Sequence, residues 1–376
     1  MNRQRIAFIR LKSHSIPYNR VEDILREKFP DLDVDTLNIS EIVRNSPLVL
    51  IINLLLVTML YGWDILLKRK EFSSAFWHTP YIFHTIRRIV RKRLNKNDYR
   101  LTFQMQSLFD ASILDTPHFI YTDHTHLENL NYPGFDPKNL YPEQWVNLEK
   151  EAYQNATRIF TWSSNIKRSL ENQYQCIPKK VKCVYVGANI ESSKLEIEHS
   201  SALNPEILFV GIDWERKGGP DLISAFKRLL ISFPNAHLTI IGTTPNIDIP
   251  NCTIVGKLPL EKIRSYYIKA DLLCLPTKLE PFGIVFLEAM SAKLPIVATR
   301  IGAIPDFIRN GWNGWLVEPG DIEGITNAIK RIANNQSESL LFGERSYELV
   351  KNRYDWSSVA ECIHAGILEA LNEYTN

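Results

Sequence analysis

From Glu206 onward, short apolar runs alternate with longer segments whose apolar positions recur every three or four residues. EILFVG (Glu206–Gly211) predicts a strand and DLISAFKRLLISF (Asp221–Phe233) a helix. HLTIIG (His237–Gly242) and CTIVG (Cys252–Gly256) predict two more strands, followed by the helix LEKIRSYYIKA (Leu260–Ala270). DLLCLP, PIVATR and GWLVEP predict further strands, with helices beginning near Gly283, Ala303 and Asp321. Short apolar runs separated by amphipathic helices are the pattern of βαβ units on a parallel sheet. The second half is therefore expected to be a doubly wound α/β domain.

The first half carries the same pattern less regularly. RIAFIR (Arg5–Arg10) predicts a strand, RVEDILREKF (Arg20–Phe29) a helix and VDTLNI (Val34–Ile39) a strand. HFIYTD (His118–Asp123), RIFTWS (Arg158–Ser163) and KCVYVG (Lys182–Gly187) predict buried strands, with a helix over Trp145–Ala156. A second α/β domain is the economical reading. Between the halves, Glu191–Asn204 is polar and lacks periodicity, as a linker would. The expected units are 1–190, a linker 191–204 and 205–355. A chain of 376 residues has room for two such domains.

Composition narrows the function classes. Lys plus Arg is 44 against 42 Asp plus Glu, a net charge of +2, so no global field draws nucleic acid. The five cysteines are scattered without a CxxC pair, which indicates neither a zinc site nor a disulfide framework and suggests a reducing compartment. MNRQRIAFIRLK lacks the apolar stretch of a signal peptide. Of 16 glycines only Gly62, Gly134 and Gly187 precede residue 200. The second half is thus where backbone is expected to approach a ligand.

Two segments there could carry chemistry. Glu280-Pro-Phe-Gly-Ile-Val-Phe-Leu-Glu288 follows a strand and opens a helix near Gly283. Such a helix start presents free N–H groups to an anion. Glu288 could reach sugar hydroxyls, and Glu280 sits in the loop. Gly211-Ile-Asp-Trp-Glu-Arg-Lys-Gly-Gly219 follows another strand, placing Arg216 and Lys217 where they could clamp phosphate. Taken singly, each could be an ordinary turn or solvated charge. Their shared position in strand-to-helix loops of one sheet favours a site.

With these residues in view, the second half resembles the C-terminal domain of family 4 glycosyltransferases, a retaining group with the GT-B fold. The resemblance runs from the strand before Gly211 through Arg216-Lys217-Gly218, GKLP (Gly256–Pro259), the E-x7-E pair Glu280 and Glu288, IGAIPDFI and NGWNGWLVEPGD. It implies two Rossmann-like domains with parallel sheets facing a cleft, and a C-terminal helix over 356–376 crossing back to the first. It also implies that Glu280 contacts the donor sugar and Glu288 the ribose. Amides around Phe282, Gly283 and Ile284, with Arg216 and Lys217, would hold the diphosphate.

In the first half, TDHTH (Thr122–His126) resembles the place where the family carries a histidine near the transferred sugar. That maps to His124, with His126 as alternative and Asp123 beside it. Ser163 resembles a family serine of structural role. The glycine-rich loop usual after the first strand is replaced by RLKSHSIPYN, where Lys12, Ser13 or His14 could meet the diphosphate.

Two further features need weighing. Asp31-Leu-Asp33-Val-Asp35 is a D-x-D pattern at a helix-to-strand turn, where no metal is expected. Ser46–Trp63 is an eighteen-residue run without charge, and Arg87, Arg88, Arg91, Lys92, Arg93, Lys96 and Arg100 follow downstream. The run and the 87–100 patch could form an interfacial surface for anionic lipid, at about 1 kcal/mol per basic residue. The alternative is a buried helix beside a solvated one. A spanning helix would split the first domain.

The resemblance implies metal-independent, cofactor-free retaining transfer of a hexosyl group from a nucleotide sugar, UDP- or GDP-linked, to a hydroxyl acceptor. Such an acceptor would be a carbohydrate or lipid-linked sugar in polysaccharide, glycolipid or other glycoconjugate synthesis. Localisation is expected to be cytoplasmic, either free or peripheral on the inner membrane face. A sugar-nucleotide 2-epimerase on the same fold and a non-catalytic nucleotide-sugar-binding protein are the other readings. Nucleic acid is not an expected partner, because the basic patch lacks interleaved aromatics.

Overall fold

The computed structural model describes residues 4–11, 16–94, 99–189 and 204–375. They form two units, Met1–Tyr185 with Val359–Asn376, and Val186–Ser358. Of the stretch expected to link the domains, 191–203 lies outside the described residues, as do Lys12, Ser13 and His14.

In chain order the first unit holds β1 (Arg5–Arg10), α1 (Ile16–Lys28), β2 (Asp33–Asn38), α2 (Ile39–Arg44), α3 (Pro47–Leu66), α4 (Phe72–Trp77) and α5 (Pro80–Leu94). Then follow β3 (Tyr99–Met105), β4 (His118–Thr122), α6 (Glu143–Asn155), β5 (Arg158–Thr161), α7 (Ser164–Asn172) and β6 (Val181–Cys183). The six strands form one parallel sheet in the order β2-β1-β3-β4-β5-β6. Five of them fall within predicted runs, give or take a few residues; β3 was not predicted.

The second unit holds β7 (Glu206–Val210), α8 (Gly219–Leu229), β8 (His237–Ile241), β9 (Cys252–Gly256), α9 (Leu260–Lys269) and β10 (Leu272–Leu275). After these come α10 (Ile284–Ser291), β11 (Ile296–Thr299), α11 (Ile304–Phe307), β12 (Gly314–Val317), α12 (Ile322–Asn334) and α13 (Gln336–Arg353). Its parallel sheet has the order β12-β11-β10-β7-β8-β9. Val186–Asn189 join this unit, and the Ala188 N–H donates to the Tyr354 carbonyl at 2.8 Å.

The last helix, α14 (Trp356–Thr375), belongs from Val359 onward to the first unit. There Glu361 pairs with Lys28 at 2.7 Å, and Glu369 pairs with the buried Arg158 at 2.9 Å.

Both strand orders reverse once: between β1 and β3 in the first sheet, and between β7 and β10 in the second. At such a reversal the loops leaving two neighbouring strands run to opposite faces and open a crevice beyond their carboxyl ends.

The expectations for 46–100 are partly corrected. The run Ser46–Trp63 does form a helix, but α3 is not core: among its residues only Asn53, Val57 and Tyr61 are buried. Nor is the basic stretch one free patch. Arg87 reaches Asp110 and Glu151, each at 2.9 Å, and Arg91 donates to the Ser112 carbonyl at 3.0 Å. Lys96 lies outside the described residues. Asp35 of the D-x-D pattern pairs with Arg5 at 3.1 Å and accepts from the Tyr99 hydroxyl at 2.9 Å.

Candidate functional site

The two strands flanking the reversal in the second sheet, β7 and β10, are adjacent. The loops leaving them hold Arg216, Lys217, Glu280, Phe282 and Gly283, and α10, which follows the β10 loop, holds Ile284 and Glu288. The β7 loop ends at Gly218, whose φ of +75° caps α8. A Cβ there would lie 1.9 Å from the Pro276 carbonyl oxygen, so only glycine lets the two loops approach this closely. Next to it the Lys278 N–H donates to the Arg216 carbonyl at 2.8 Å. The Arg216 guanidinium answers by donating to the Leu279 carbonyl at 2.8 Å and to Asp213 at 3.2 Å.

That docking brings Lys217 against Glu280. Their side chains form an ion pair and are only 10% and 6% exposed. Gly283, with φ +91°, caps α10, and a Cβ on it would strike the Phe286 ring at 2.6 Å. Of the first N–H groups of α10, directly beyond the loop, that of Phe286 donates to the Gly283 carbonyl at 3.0 Å, and those of Ile284 and Val285 precede the first helical hydrogen bond. Phe282 is buried beside Phe307, with ring centroids 5.6 Å apart, and Ile284 opens the helix half-buried.

Glu288 lies one turn further along α10 and is almost wholly buried. The Tyr267 hydroxyl donates to it at 3.0 Å and the Asn189 amide at 3.4 Å. Burial pushes its carboxyl up to about 7, against the lowering effect of these two donors. Tyr267 and Asn189 were not anticipated. Tyr267 lies in a helix that reads as merely amphipathic, and Asn189 has no neighbouring motif.

The first unit has its own concavity, of about 200 Å³, at the carboxyl ends of β3 and β4. Gln106, Ser107, Asp123, His124, His126, Trp145 and Glu149 line it. His124 follows β4, and its Nδ1 is buried with no hydrogen-bond partner among the described residues. Burial holds its imidazole below the ordinary value of 6.5, with Asp123 opposing. His126 differs. Its Nε2 accepts the Tyr141 N–H at 2.8 Å, and burial pushes it down to about 3. It is a neutral ring engaged with backbone.

Behind the two histidines, Glu149 accepts from the Ser107 hydroxyl at 2.8 Å, the Tyr153 hydroxyl at 3.1 Å and the Tyr174 hydroxyl. Burial nevertheless raises it to about 7. His78, pushed down to about 4 by burial, stacks on Tyr141 with centroids 3.9 Å apart. Neither Glu149 nor His78 was singled out from the chain. A glutamate on the apolar stripe of α6, beside Trp145, Leu148 and Ala152, was a usable signal. Ser163 precedes α7, fully buried. Among the described residues no group of three or more His, Cys, Asp or Glu could hold a metal ion.

Residues 204–335 match the family model described as "Glycosyl transferases group 1". The capsular polysaccharide biosynthesis glycosyltransferase CapM of Staphylococcus aureus is 25% identical over 228 residues, spanning 55% of this chain and 60% of that one. The match therefore covers little more than half the length of that curated relative. Among solved structures, sucrose-phosphate synthase from Thermosynechococcus elongatus superposes with a TM-score of 0.67 at 18% identity, covering 100% of both chains. Anabaena HepE in complex with UDP superposes with a TM-score of 0.66 at 14% identity, covering 97% of this chain and 100% of that one. Residues 204–335 are thus similar to the group 1 glycosyltransferases, in a chain that has the two-domain GT-B fold.

Proposed function

We propose that this protein is a retaining glycosyltransferase that moves a hexosyl group from a nucleoside-diphosphate sugar to a hydroxyl acceptor without a metal ion. One observation carries the reading: Arg216, Lys217, Glu280, the start of α10 and Glu288 converge at the strand-order reversal of the domain that matches the group 1 family. The resemblance of Glu280–Glu288 to the E-x7-E motif of family 4 supports the same reading.

As the glycosyl–phosphate bond breaks, negative charge grows on the leaving diphosphate. Preorganised donors aimed at that charge usually supply the largest catalytic contribution. Lys217 has three donors and Arg216 five, of which those engaged with Glu280, Asp213 and the Leu279 carbonyl are a part. The remaining donors, with the first N–H groups of α10, would bind the phosphates. Glu280 would accept from hydroxyls of the transferred sugar and Glu288 from those of the ribose. His124 would hydrogen-bond a sugar hydroxyl through Nδ1. The acceptor hydroxyl attacks the anomeric carbon on the face from which the phosphate departs, and its proton passes to the leaving phosphate.

UDP is the first nucleotide to try, because HepE was solved with it. The experiment is a thermal-shift screen of UDP-, GDP- and ADP-sugars, followed by transfer assays in EDTA. A ligand that binds only the folded state raises the melting temperature. Transfer should persist in EDTA. Activity that disappears and returns only with Mn²⁺ or Mg²⁺ would overturn the metal-free reading. Turnover of donor to an epimerised sugar without acceptor would identify a 2-epimerase instead. Binding without any turnover would leave a nucleotide-sugar-binding protein.

A further inference from the structure

Helix α3 is amphipathic in the inverse sense. Its buried stripe, Asn53, Val57 and Tyr61 at four-residue spacing, carries the polar groups. The Asn53 amide donates to the Phe76 carbonyl at 2.8 Å, and the Tyr61 hydroxyl donates to the His78 carbonyl at 2.8 Å. These two bonds tie α3 down onto the α4–α5 corner. The opposite face is aliphatic and faces outward: Leu48 is 73% exposed, Met59 81% and Trp63 71%, with Ile51, Leu55 and Leu66 between and beyond them. Twenty residues make a ridge roughly 30 Å long. Exposed apolar surface of that extent marks an interaction site.

Charge selects the partner. Arg44 is exposed just before α3, and Lys68 and Arg69 just after it. The neighbouring α5 adds the exposed Arg88, Lys92 and Arg93. Within α3 and α5 the only carboxylate is Asp64, which pairs with the buried Lys70 at 2.7 Å and, at 3.9 Å, with the exposed Arg69. Exposed Glu41 and Glu71 lie outside both helices. An apolar ridge bordered by cations complements an anionic lipid surface, whereas a second copy would bring like charges together. Trp63, at the cationic end, suits the headgroup level.

Topology decides between lying on the membrane and crossing it. β2 precedes α3 and β3 follows it, yet both are hydrogen-bonded to β1. A single crossing would put the two strands on opposite sides of a bilayer. We propose that the outward face of α3, from Leu48 to Leu66, docks in the plane of an anionic membrane, with Arg44, Lys68 and Arg69 on the headgroups. This inference is independent of the reaction proposed above.

The test is flotation of the full chain with phosphatidylcholine vesicles and with vesicles that also contain phosphatidylglycerol, at low and high salt. Wild type should float with the anionic vesicles, less so as salt rises. Leu55→Glu combined with Met59→Glu should reduce the bound fraction roughly tenfold or more while leaving the circular dichroism unchanged, because both side chains are exposed. Lys68→Gln with Arg69→Gln should weaken binding only to the anionic vesicles. As a second readout, an environment-sensitive fluorophore on Met59→Cys, in a Cys362→Ser background, should shift to the blue on adding anionic vesicles. Absence of flotation under every condition, or flotation that survives the double glutamate variant, overturns the proposal. So does a wild-type dimer that the same variant splits without any vesicle binding, which would make the ridge a contact between copies.

Discussion

Lys217 and Glu280, 63 positions apart in the chain, form a buried ion pair where the β7 and β10 loops meet. A buried pair contributes little net stability as a pair, but removing one partner strands the other charge away from water.

Lys217→Met should therefore cost about 3–5 kcal/mol of folding free energy, as should Glu280→Gln. Lys217→Met combined with Glu280→Gln should recover most of that loss while remaining inactive. Urea denaturation of the four proteins closes the cycle. Additive single costs would show that the two groups do not act as a pair.

Glu288 ties stability to pH with a sign opposite to that of most carboxylates. Its folded value, about 7, lies above the ordinary 4.5, so the folded state holds the proton more tightly than the unfolded chain. The stabilisation is complete below 4.5, declines as pH rises toward 7 and is absent above, a change of about 3 kcal/mol. In Glu288→Gln this component of the pH dependence should vanish, which urea midpoints on either side of the interval will show. If ribose hydroxyls donate to Glu288 they favour its ionised form. Nucleoside diphosphate binding near neutral pH should then release protons in wild type beyond those released in Glu288→Gln. Calorimetry in two buffers of different ionisation enthalpy measures the difference.

Gly218→Ala forces a methyl group onto the Pro276 carbonyl at a left-handed φ. The strain of such a residue alone is about 1–3 kcal/mol. Beyond lowering stability by at least that much, the substitution should separate Lys217 from Glu280 and so weaken nucleotide binding. Tight nucleotide binding retained in a destabilised Gly218→Ala protein would show that the loop contact does not set the site.

The two candidate histidines should separate cleanly. His126→Ala removes the acceptor of the Tyr141 N–H inside an aromatic cluster and should lower the melting temperature. His124→Gln leaves that cluster intact and should spare stability while reducing kcat by about 10² or more. In wild type no ionisation of His124 should appear in the rate profile above pH 6.5, because burial holds it lower. Equal loss of folding stability in both variants would assign His124 a structural role.

Much of the second domain was determined by sequence alone. Its central strands are covered on both faces, so they read as unbroken apolar runs, and glycines with glutamates and cations mark the loops between them. β3 escaped for the opposite reason. YRLTFQM alternates like a half-exposed strand, yet Thr102 and Gln104 are buried, because Thr102 meets the His118 ring at 2.7 Å and the Gln104 amide oxygen accepts the Ala111 N–H at 2.8 Å. Such partners are distant contacts, which local periodicity does not record. The same holds for α3. Its apolar length was plain in the chain, but which face turns outward depends on carbonyls of Phe76 and His78 that only the folded chain brings to Asn53 and Tyr61. Arg87 and Arg91 looked like free cations until the fold set Asp110 beside them. Sequence determined which elements form and which residue types stand at their ends. Tertiary structure decided which charges are already paired and which apolar face has no partner, because both depend on groups far apart in the chain.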